Sequence, residues 1–198
     1  VARAYNDWII EWFGGHRDRF APVGVMPVAE IAESVKEMQR VAKLGFRAVK
    51  VPIVANARPY NRPEYEPLWA AMADTGIVLT FLSFTNDNDQ YPEDWGEENG
   101  YGGALSFMAL SMAEGQQPVS YMISSGALER HPTLKVAVVE SGAGWLAWLL
   151  HVLDEQAEKK HMWIRPRLKL KPSEYFKRQG FVTFSDDPMA LKNIEFTG

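Results

Sequence analysis

Residues 135–159, KVAVVESGAGWLAWLLHVLDEQAEK, contain a short apolar run, a glycine-rich turn and a long amphipathic stretch in direct succession. The run 135–139 predicts a buried strand, because it is short, continuous and rich in valine. Residues 143–159 predict a helix whose apolar face carries Trp145, Trp148, Leu149 and Val152. A strand followed at once by a helix is the repeating unit of parallel α/β proteins.

The same unit recurs on both sides of this stretch. Gly45 and Gly76 follow two of the amphipathic stretches, where a left-handed residue commonly ends a helix. Tight hairpin signals are almost absent between the apolar runs, so the strands are expected to be parallel. The pattern alone leaves open whether they form a closed barrel or an open doubly wound sheet. Strands are predicted at 20–26, 47–54, 77–84, 135–139 and 181–184, and helices at 2–13, 31–44, 64–74, 104–114, 119–129 and 143–159.

The composition excludes several classes of protein. The chain has 198 residues, 46% hydrophobic and 23% charged, which is typical of a globular domain with a real core. The net charge of -4 does not indicate the basic surface that nucleic-acid binding requires. The absence of cysteine removes disulfides and cysteine nucleophiles and fits a reducing cytoplasm. Apolar runs are far shorter than the roughly 20 residues of a membrane span, and no nucleotide-binding glycine motif follows a strand.

The ends of the chain suggest that it belongs to a longer protein. It begins at Val1 without an initiator methionine or a signal peptide. Five strands do not close an eight-stranded barrel, and an open arc leaves its edge strands unpaired. The expectation is therefore a single (β/α)-barrel domain over 1–198, truncated at both ends, with missing residues or a partner on the open side.

Candidate chemistry is expected at the carboxyl ends of the strands, where parallel α/β proteins place their sites. Glu140 is the sharpest candidate, because it directly follows the run 135–139. Desolvation in a barrel mouth would raise the pKa of its carboxyl and suit it to proton transfer or metal binding. The glycines after it allow a sharp turn into a helix, whose N-terminus could hold an anion. The alternative is that Glu140 pairs with an arginine or caps that helix.

Three further residues are expected to line a substrate pocket. Ser83 ends the run 77–84, Asp186 follows the last strand, and Trp145 could wall a site for a flat organic molecule. Trp95 in the polar loop 86–103 is a similar candidate. Asp187 precedes Pro188 and is predicted to cap a helix. The tryptophans at helical spacing are predicted to be core residues: Trp8, Trp12, Trp69 and Trp148.

No metal site is expected from the histidines. His16, His131, His151 and His161 share no metal-binding spacing and follow no strand end. A three-histidine zinc site therefore cannot be built at the strand ends of this chain. The acidic stretch 86–89 lacks the glycine and late glutamate of a calcium loop and is expected to be solvated.

Several segments together resemble the amidohydrolase-related family that includes aminocarboxymuconate-semialdehyde decarboxylase. The resemblance extends over nearly the whole chain, and its strongest part is HPTLKV at 131–136 continuing into ESGAGW at 140–145. Weaker parts are AYNDW at 4–8, DRF at 18–20 leading into VMP at 25–27, and LGFRAV at 44–49.

This resemblance implies a TIM barrel that binds one divalent metal, typically zinc, at its carboxyl mouth. The family's ligands are an H-x-H or E-x-H on the first strand, a histidine ending the fifth and an aspartate after the eighth. None transfers to this chain, which has Leu82-Ser83 at the fifth-strand position, and Glu140 where the decarboxylases carry histidine after the sixth strand.

The function implied by the resemblance is metal-assisted hydrolysis or C–C bond cleavage of a small carboxylated or cyclic organic substrate. A metal would polarise a carbonyl or activate water, and Glu140 would move the proton. A homo-oligomer is expected, with no nucleic acid or membrane partner. The alternative is a catalytically impaired barrel that serves as a binding or scaffold protein.

Overall fold

A computed structural model describes residues 1–55, 58–86 and 103–198. All neighbouring strands pair in parallel, and their order in the sheet is their order along the chain. A doubly wound sheet would reverse direction at a switch point, whereas this sheet winds one way like a barrel wall. The strands thus form a partial barrel: β1 Val23–Val25, β2 Ala48–Val54, β3 Val78–Asn86, β4 Val136–Val139 and β5 Gly180–Val182.

The helices follow the predicted alternation closely. A 3-10 turn, Pro63–Tyr65, leads into the third helix. The predicted stretch 119–129 is divided into two helices by Gly126, which adopts a φ of +75°. The helices are α1 Ala2–Trp12, α2 Ile31–Leu44, α3 Glu66–Thr75, α4 Gly103–Ser111, α5 Gln116–Ser124, α6 Ala127–Arg130, α7 Gly144–Lys159, α8 Pro172–Gln179, α9 Pro188–Lys192 and α10 Ile194–Thr197.

Helix α8 was missed by the sequence analysis, although a start signal is present. Pro172 occupies the first turn, where its missing N–H costs nothing. The Glu174 carboxylate accepts the backbone N–H of Lys171 at 2.8 Å, which satisfies a donor at the helix start. The Pro-x-Glu spacing was therefore a usable signal for a helix here.

Strand register sorts the side chains of the sheet into two faces. Val49 pairs with Leu79 and Leu79 with Val136, while Phe81 lies opposite both Val51 and Val138. These residues are fully buried and belong to the main hydrophobic core, which includes residues of the surrounding helices. Successive residues of a strand face opposite sides, so the row formed by Pro52, Leu82 and Val139 lies on the other face and is only half-buried.

The prediction that the helical tryptophans belong to the core is right for Trp69 and wrong for three others. Trp8, Trp12 and Trp148 are 53%, 69% and 60% exposed. In α1 the buried residues are Asn6, Ile9 and Ile10. Helical spacing identified an apolar stripe but did not specify which part of the helix surface packs on the sheet.

Asn6 ties α1 to the edge strand β1. Its carboxamide donates to the Val25 carbonyl at 3.0 Å and accepts the Val25 N–H at 2.7 Å. Its nitrogen also donates to Glu37 Oε1 at 2.9 Å, and the residue is fully buried. The side chain thus hydrogen-bonds to β1 as a neighbouring strand would, and it satisfies two backbone groups at the sheet edge.

A cluster around Glu66 joins α3 to α6. Arg130 donates to both Glu66 carboxylate oxygens, at 2.9 and 2.8 Å, and His131 Nε2 lies 2.8 Å from Oε1. The pKa of Glu66 is lowered, first by the hydrogen bond from Arg130 and also by the one from His131. This cluster, with Gln179 Nε2 donating to the His131 carbonyl at 2.8 Å, fixes the segment that leads into β4.

Replacing Glu66 with glutamine is expected to lower the free energy of unfolding at pH 7 by up to about 1 kcal/mol, since pairs this exposed are screened by solvent. A lowered carboxyl pKa stabilises the fold above the pKa of the unfolded chain and ceases to do so as the pH falls through the native pKa. The difference between wild type and Glu66→Gln should therefore be full at pH 7 and become smaller as the pH falls through the lowered native pKa of Glu66.

Urea unfolding at pH 7 and pH 3 measures this effect. Glu155→Gln is the matched control, because Glu155 pairs with Lys159 on the exposed surface of α7. That variant should unfold like wild type at both pH values. A deficit of Glu66→Gln that is equal at the two pH values would contradict the ionic origin of the stabilisation.

Candidate functional site

A cavity of about 800 Å³ opens at the carboxyl ends of β4 and β5. It brings together three of the predicted residues, Glu140, Trp145 and Asp186. Its apolar lining includes Met112, Phe184, Met189 and two alanines that follow or belong to α4, Ala109 and Ala113. The position agrees with the rule that parallel α/β sites lie beyond the carboxyl ends of strands.

Glu140 adopts a left-handed backbone conformation with a φ of +59°. Among the described residues it is the one non-glycine position with a positive φ. Such a conformation costs a residue with a side chain roughly 1–2 kcal/mol and persists where its surroundings impose it. One restraint is visible directly, since the Glu140 N–H donates to Thr183 Oγ1 at 3.1 Å.

The turn after Glu140 is wrapped around the carboxylate of Asp187. One oxygen, Oδ2, accepts the N–H groups of Ala143 and Gly144 at 2.7 and 2.6 Å. The other oxygen accepts the N–H of Ala190 at 3.0 Å, which confirms the predicted helix cap at α9. These hydrogen bonds, with that from Ala143 first, lower the pKa of Asp187.

This arrangement corrects one expectation of the sequence analysis. The sequence suggested that the N-terminus of α7 could hold an anion, or that Glu140 could cap it. This N-terminus is instead filled by an internal anion, the Asp187 carboxylate, which takes up the N–H groups that an external anion would need.

Trp145 is fixed as one wall of the cavity. Its indole N–H donates to the Ser141 carbonyl at 2.8 Å. A Cβ atom at Gly115 would lie 2.9 Å from Trp145 Cζ2 and 2.7 Å from Val138 Cγ1, closer than real Cβ contacts allow. Gly115 therefore lets the backbone approach the ring, and the ring has little freedom to swing.

The other predicted residues differ in how far the structure describes them. Asp186 and Glu140 are both exposed, so the described residues do not supply the low-dielectric surroundings expected for Glu140. Ser83 belongs to β3, next to β4, but the structure describes only its backbone. Trp95 lies outside the described residues. Sequence reasoning missed Thr183. Its position near the end of the predicted strand FVTF, three residues before Asp186, was a signal that its side chain could lie at the site.

The described residues do not form a metal site by themselves. In 1–55, 58–86 and 103–198, no group of three or more His, Asp or Glu side chains converges on one point. His131 contacts Glu66 at the opposite end of β4, and His161 Nδ1 lies 2.9 Å from the Glu158 carbonyl on the outer helix α7. Within the same residues, no helix is long and apolar enough to cross a membrane.

The winding of the sheet and the cavity at the strand ends define the fold as a partial (β/α)-barrel. The chain belongs to the Amidohydrolase family, which matches residues 1–195. The resemblance inferred from the sequence is thereby confirmed. No match was found among curated proteins.

Solved structures support the same fold. The 5-carboxyvanillate decarboxylase from Sphingomonas paucimobilis is 26% identical with a TM-score of 0.77, and the match covers 100% of this chain and 58% of that one. The 2,6-dihydroxybenzoate decarboxylase from Rhizobium is 20% identical with a TM-score of 0.72, and the match covers 100% and 63%.

A third structure is a 5-carboxyvanillate decarboxylase mutant from Novosphingobium aromaticivorans, with bound manganese and 3-methoxy-4-hydroxy-5-nitrobenzoic acid. It is 22% identical with a TM-score of 0.78, and the match covers 100% of this chain and 57% of that one. The chain spans 51–65% of the length of such matched structures. The metal named for this relative is manganese, and zinc, expected from the resemblance, has no support here.

Proposed function

We propose that the protein is a C–C lyase that decarboxylates a small aromatic acid, with Glu140 as the proton-transfer residue. The observation that carries this proposal is the left-handed position of Glu140 at the end of β4, beside a cavity of about 800 Å³. Strained residues that their surroundings hold in place are concentrated at functional sites.

The lining of the cavity suits a flat, partly apolar ligand. Trp145 offers a fixed ring edge, and Phe184, Met112 and Met189 add apolar surface. Asp186 can accept a hydrogen bond from a phenolic hydroxyl group. The names of the solved relatives, which act on carboxyvanillate and dihydroxybenzoate, point to the same class of substrate. Ser83, on the strand beside β4, remains a proposed substrate contact.

In the proposed step, Glu140 carries a proton from water to the substrate. Its carboxylate takes a proton from a water molecule, leaving hydroxide, and gives that proton to the ring carbon that bears the substrate carboxylate. The bond between that carbon and the carboxylate then breaks, its electron pair restores the aromatic ring, and CO₂ leaves. Glu140 ends the step as a carboxylate, and a buffer acid neutralises the hydroxide left by the water. In a hydrolytic reaction on a related substrate, the Glu140 carboxylate would instead take a proton from the attacking water.

We also propose that the whole protein binds a divalent metal ion. Manganese is preferred to zinc because two of the solved relatives contain bound manganese. The described residues of this chain do not fit a metal site by themselves. The step above assigns only the proton transfer by Glu140; the ion would orient the substrate and polarise it, and its ligands are proposed to lie outside the described residues.

A binding protein without turnover is the second candidate. It is favoured by Leu82-Ser83 at the end of β3, where the family resemblance led to the expectation of a histidine ligand. Such a protein would keep the cavity and the Trp145 wall while lacking the chemistry. The two candidates differ in whether bound ligand is converted.

The protein at its full natural length is expected to release CO₂ from 5-carboxyvanillate or 2,6-dihydroxybenzoate and to hold about one divalent metal ion per chain. Elemental analysis measures the metal, and infrared detection of CO₂ measures the reaction, before and after dialysis against a chelator. Dialysis should abolish turnover, and added manganese should restore it. Binding of both acids without any CO₂ release would favour the second candidate.

A further inference from the structure

We propose that Asp187 is a positioning residue that holds Glu140 in its productive conformation. This inference rests on the proposed function, because it assigns Asp187 a role only in the proton transfer by Glu140. Asp187 does not act on the substrate itself in this account. Its two oxygens are already engaged by three backbone N–H groups, of Ala143, Gly144 and Ala190.

The turn 140–144 is built around that carboxylate. A Cβ atom at Gly144 would lie 2.9 Å from Asp187 Oδ1 and 3.0 Å from the Met189 Cβ. A Cβ atom at Gly142 would lie 3.3 Å from Asp187 Oδ2, and Gly142 itself has a φ of +61°. The backbone therefore approaches Asp187 more closely than a chain with side chains at these positions could.

Removal of the anion would release the turn. The N–H groups of Ala143 and Gly144 belong to the start of α7 and have no partner within the helix. Without the carboxylate, fewer contacts hold Glu140 at its unfavourable positive φ. The backbone can then shift to a more favourable conformation. A displacement of about 1 Å in a reacting group can cost about 100-fold in rate.

Thr183 forms a second, independent restraint from the same segment after β5. Its Oγ1 accepts the N–H of Glu140 at 3.1 Å, while Asp187 holds the far side of the turn. Both restraints come from residues that follow β5, whereas Glu140 ends β4. The conformation of Glu140 thus depends on the neighbouring strand of the barrel.

Asp187→Asn in the full-length protein is expected to lower kcat for 5-carboxyvanillate about 100-fold while KM changes by less than about threefold. Asp154→Asn is the matched control. The Asp154 carboxylate accepts hydrogen bonds from the N–H of Ser173 at 2.8 Å and from the Ser173 hydroxyl group at 2.7 Å. Both bonds lie at the start of α8, away from the cavity. It should have a comparable effect on the melting temperature and leave kcat unchanged.

The decisive comparison is made in a Glu140→Gln background. If Asp187 acts through Glu140, adding Asp187→Asn to Glu140→Gln should change the residual rate by less than about threefold, because residues acting as a unit are not additive. Hydrogen exchange of the peptide containing residues 140–146 should be faster in Asp187→Asn and unchanged in Asp154→Asn.

An equal, roughly 100-fold loss in both backgrounds would show a general structural role and overturn the inference. An unaltered kcat in Asp187→Asn would overturn it as well. If Asp187→Asn does not fold, Asp187→Ser serves instead, since serine still accepts a backbone N–H at the helix cap but removes the carboxylate, and the same non-additivity with Glu140→Gln is expected. A Glu140→Gln variant with wild-type turnover would mean that the proposed function itself has failed.

Discussion

Replacing Asn6 with leucine is expected to lower the free energy of unfolding by about 3–5 kcal/mol. The substitution removes the side chain that pairs with both the N–H and the carbonyl of Val25. Glu37 Oε1 also loses one donor but keeps Arg40 Nη2 at 2.6 Å. Each buried polar group left without a hydrogen bond costs about 1–3 kcal/mol, and leucine can pair with neither group of Val25. Asn6 is 0% exposed, so water cannot take the place of the lost amide.

Urea unfolding followed by circular dichroism measures this loss. Asn61→Leu is the matched control, because Asn61 is exposed and surface substitutions usually change stability by less than about 0.5 kcal/mol. A loss below about 1 kcal/mol for Asn6→Leu would contradict the role of this side chain as the partner of β1.

Glu140→Gln is expected to reduce turnover about 10²- to 10⁴-fold, which is the usual contribution of a positioned acid or base. Glutamine has nearly the same shape as glutamate but cannot give up a carboxyl proton. Because the Glu140 side chain is exposed and its backbone N–H still reaches Thr183, the melting temperature should not change. Glu158→Gln, an exposed substitution on α7, is the control and should keep wild-type turnover.

The alternation of strands and helices could be predicted from the sequence because it depends on local periodicity. The runs 47–54 and 135–139 correspond to β2 and β4 almost residue for residue. The choice between a barrel and a doubly wound sheet could not be made in this way. It depends on strand order, which is set by pairings such as Leu79 with Val136, between residues far apart in the chain.

The candidate site was only partly predictable for the same reason. Glu140 could be found because the end of a parallel strand is a position readable from the sequence. Its left-handed φ could not, because the restraints come from Thr183 and Asp187, more than 40 residues later. The prediction that Asp187 caps a helix was confirmed at α9, yet the same carboxylate also holds the start of α7.

The exposed tryptophans show a different limit of sequence reasoning. Trp8 and Trp12 lie at helical spacing with Tyr5. Their rings are in tilted contact on the outer surface, with centroids 5.8 Å apart for Tyr5 and Trp8 and 6.1 Å apart for Trp8 and Trp12. The contact of α1 with the sheet is instead made on the side that carries Asn6 and Ile9. The buried side chain of Asn6 fixes which face of α1 packs against the sheet, although hydrophobic periodicity would place a polar residue outside the core.

The most direct test of the account compares ligand binding and turnover in the same preparation of Glu140→Gln. Calorimetric titration with 3-methoxy-4-hydroxy-5-nitrobenzoic acid measures binding, and CO₂ release from 5-carboxyvanillate measures turnover, both in the full-length protein with manganese. We predict binding within about threefold of wild type and CO₂ release lowered at least about 100-fold. Release of CO₂ at the wild-type rate by Glu140→Gln would contradict this prediction.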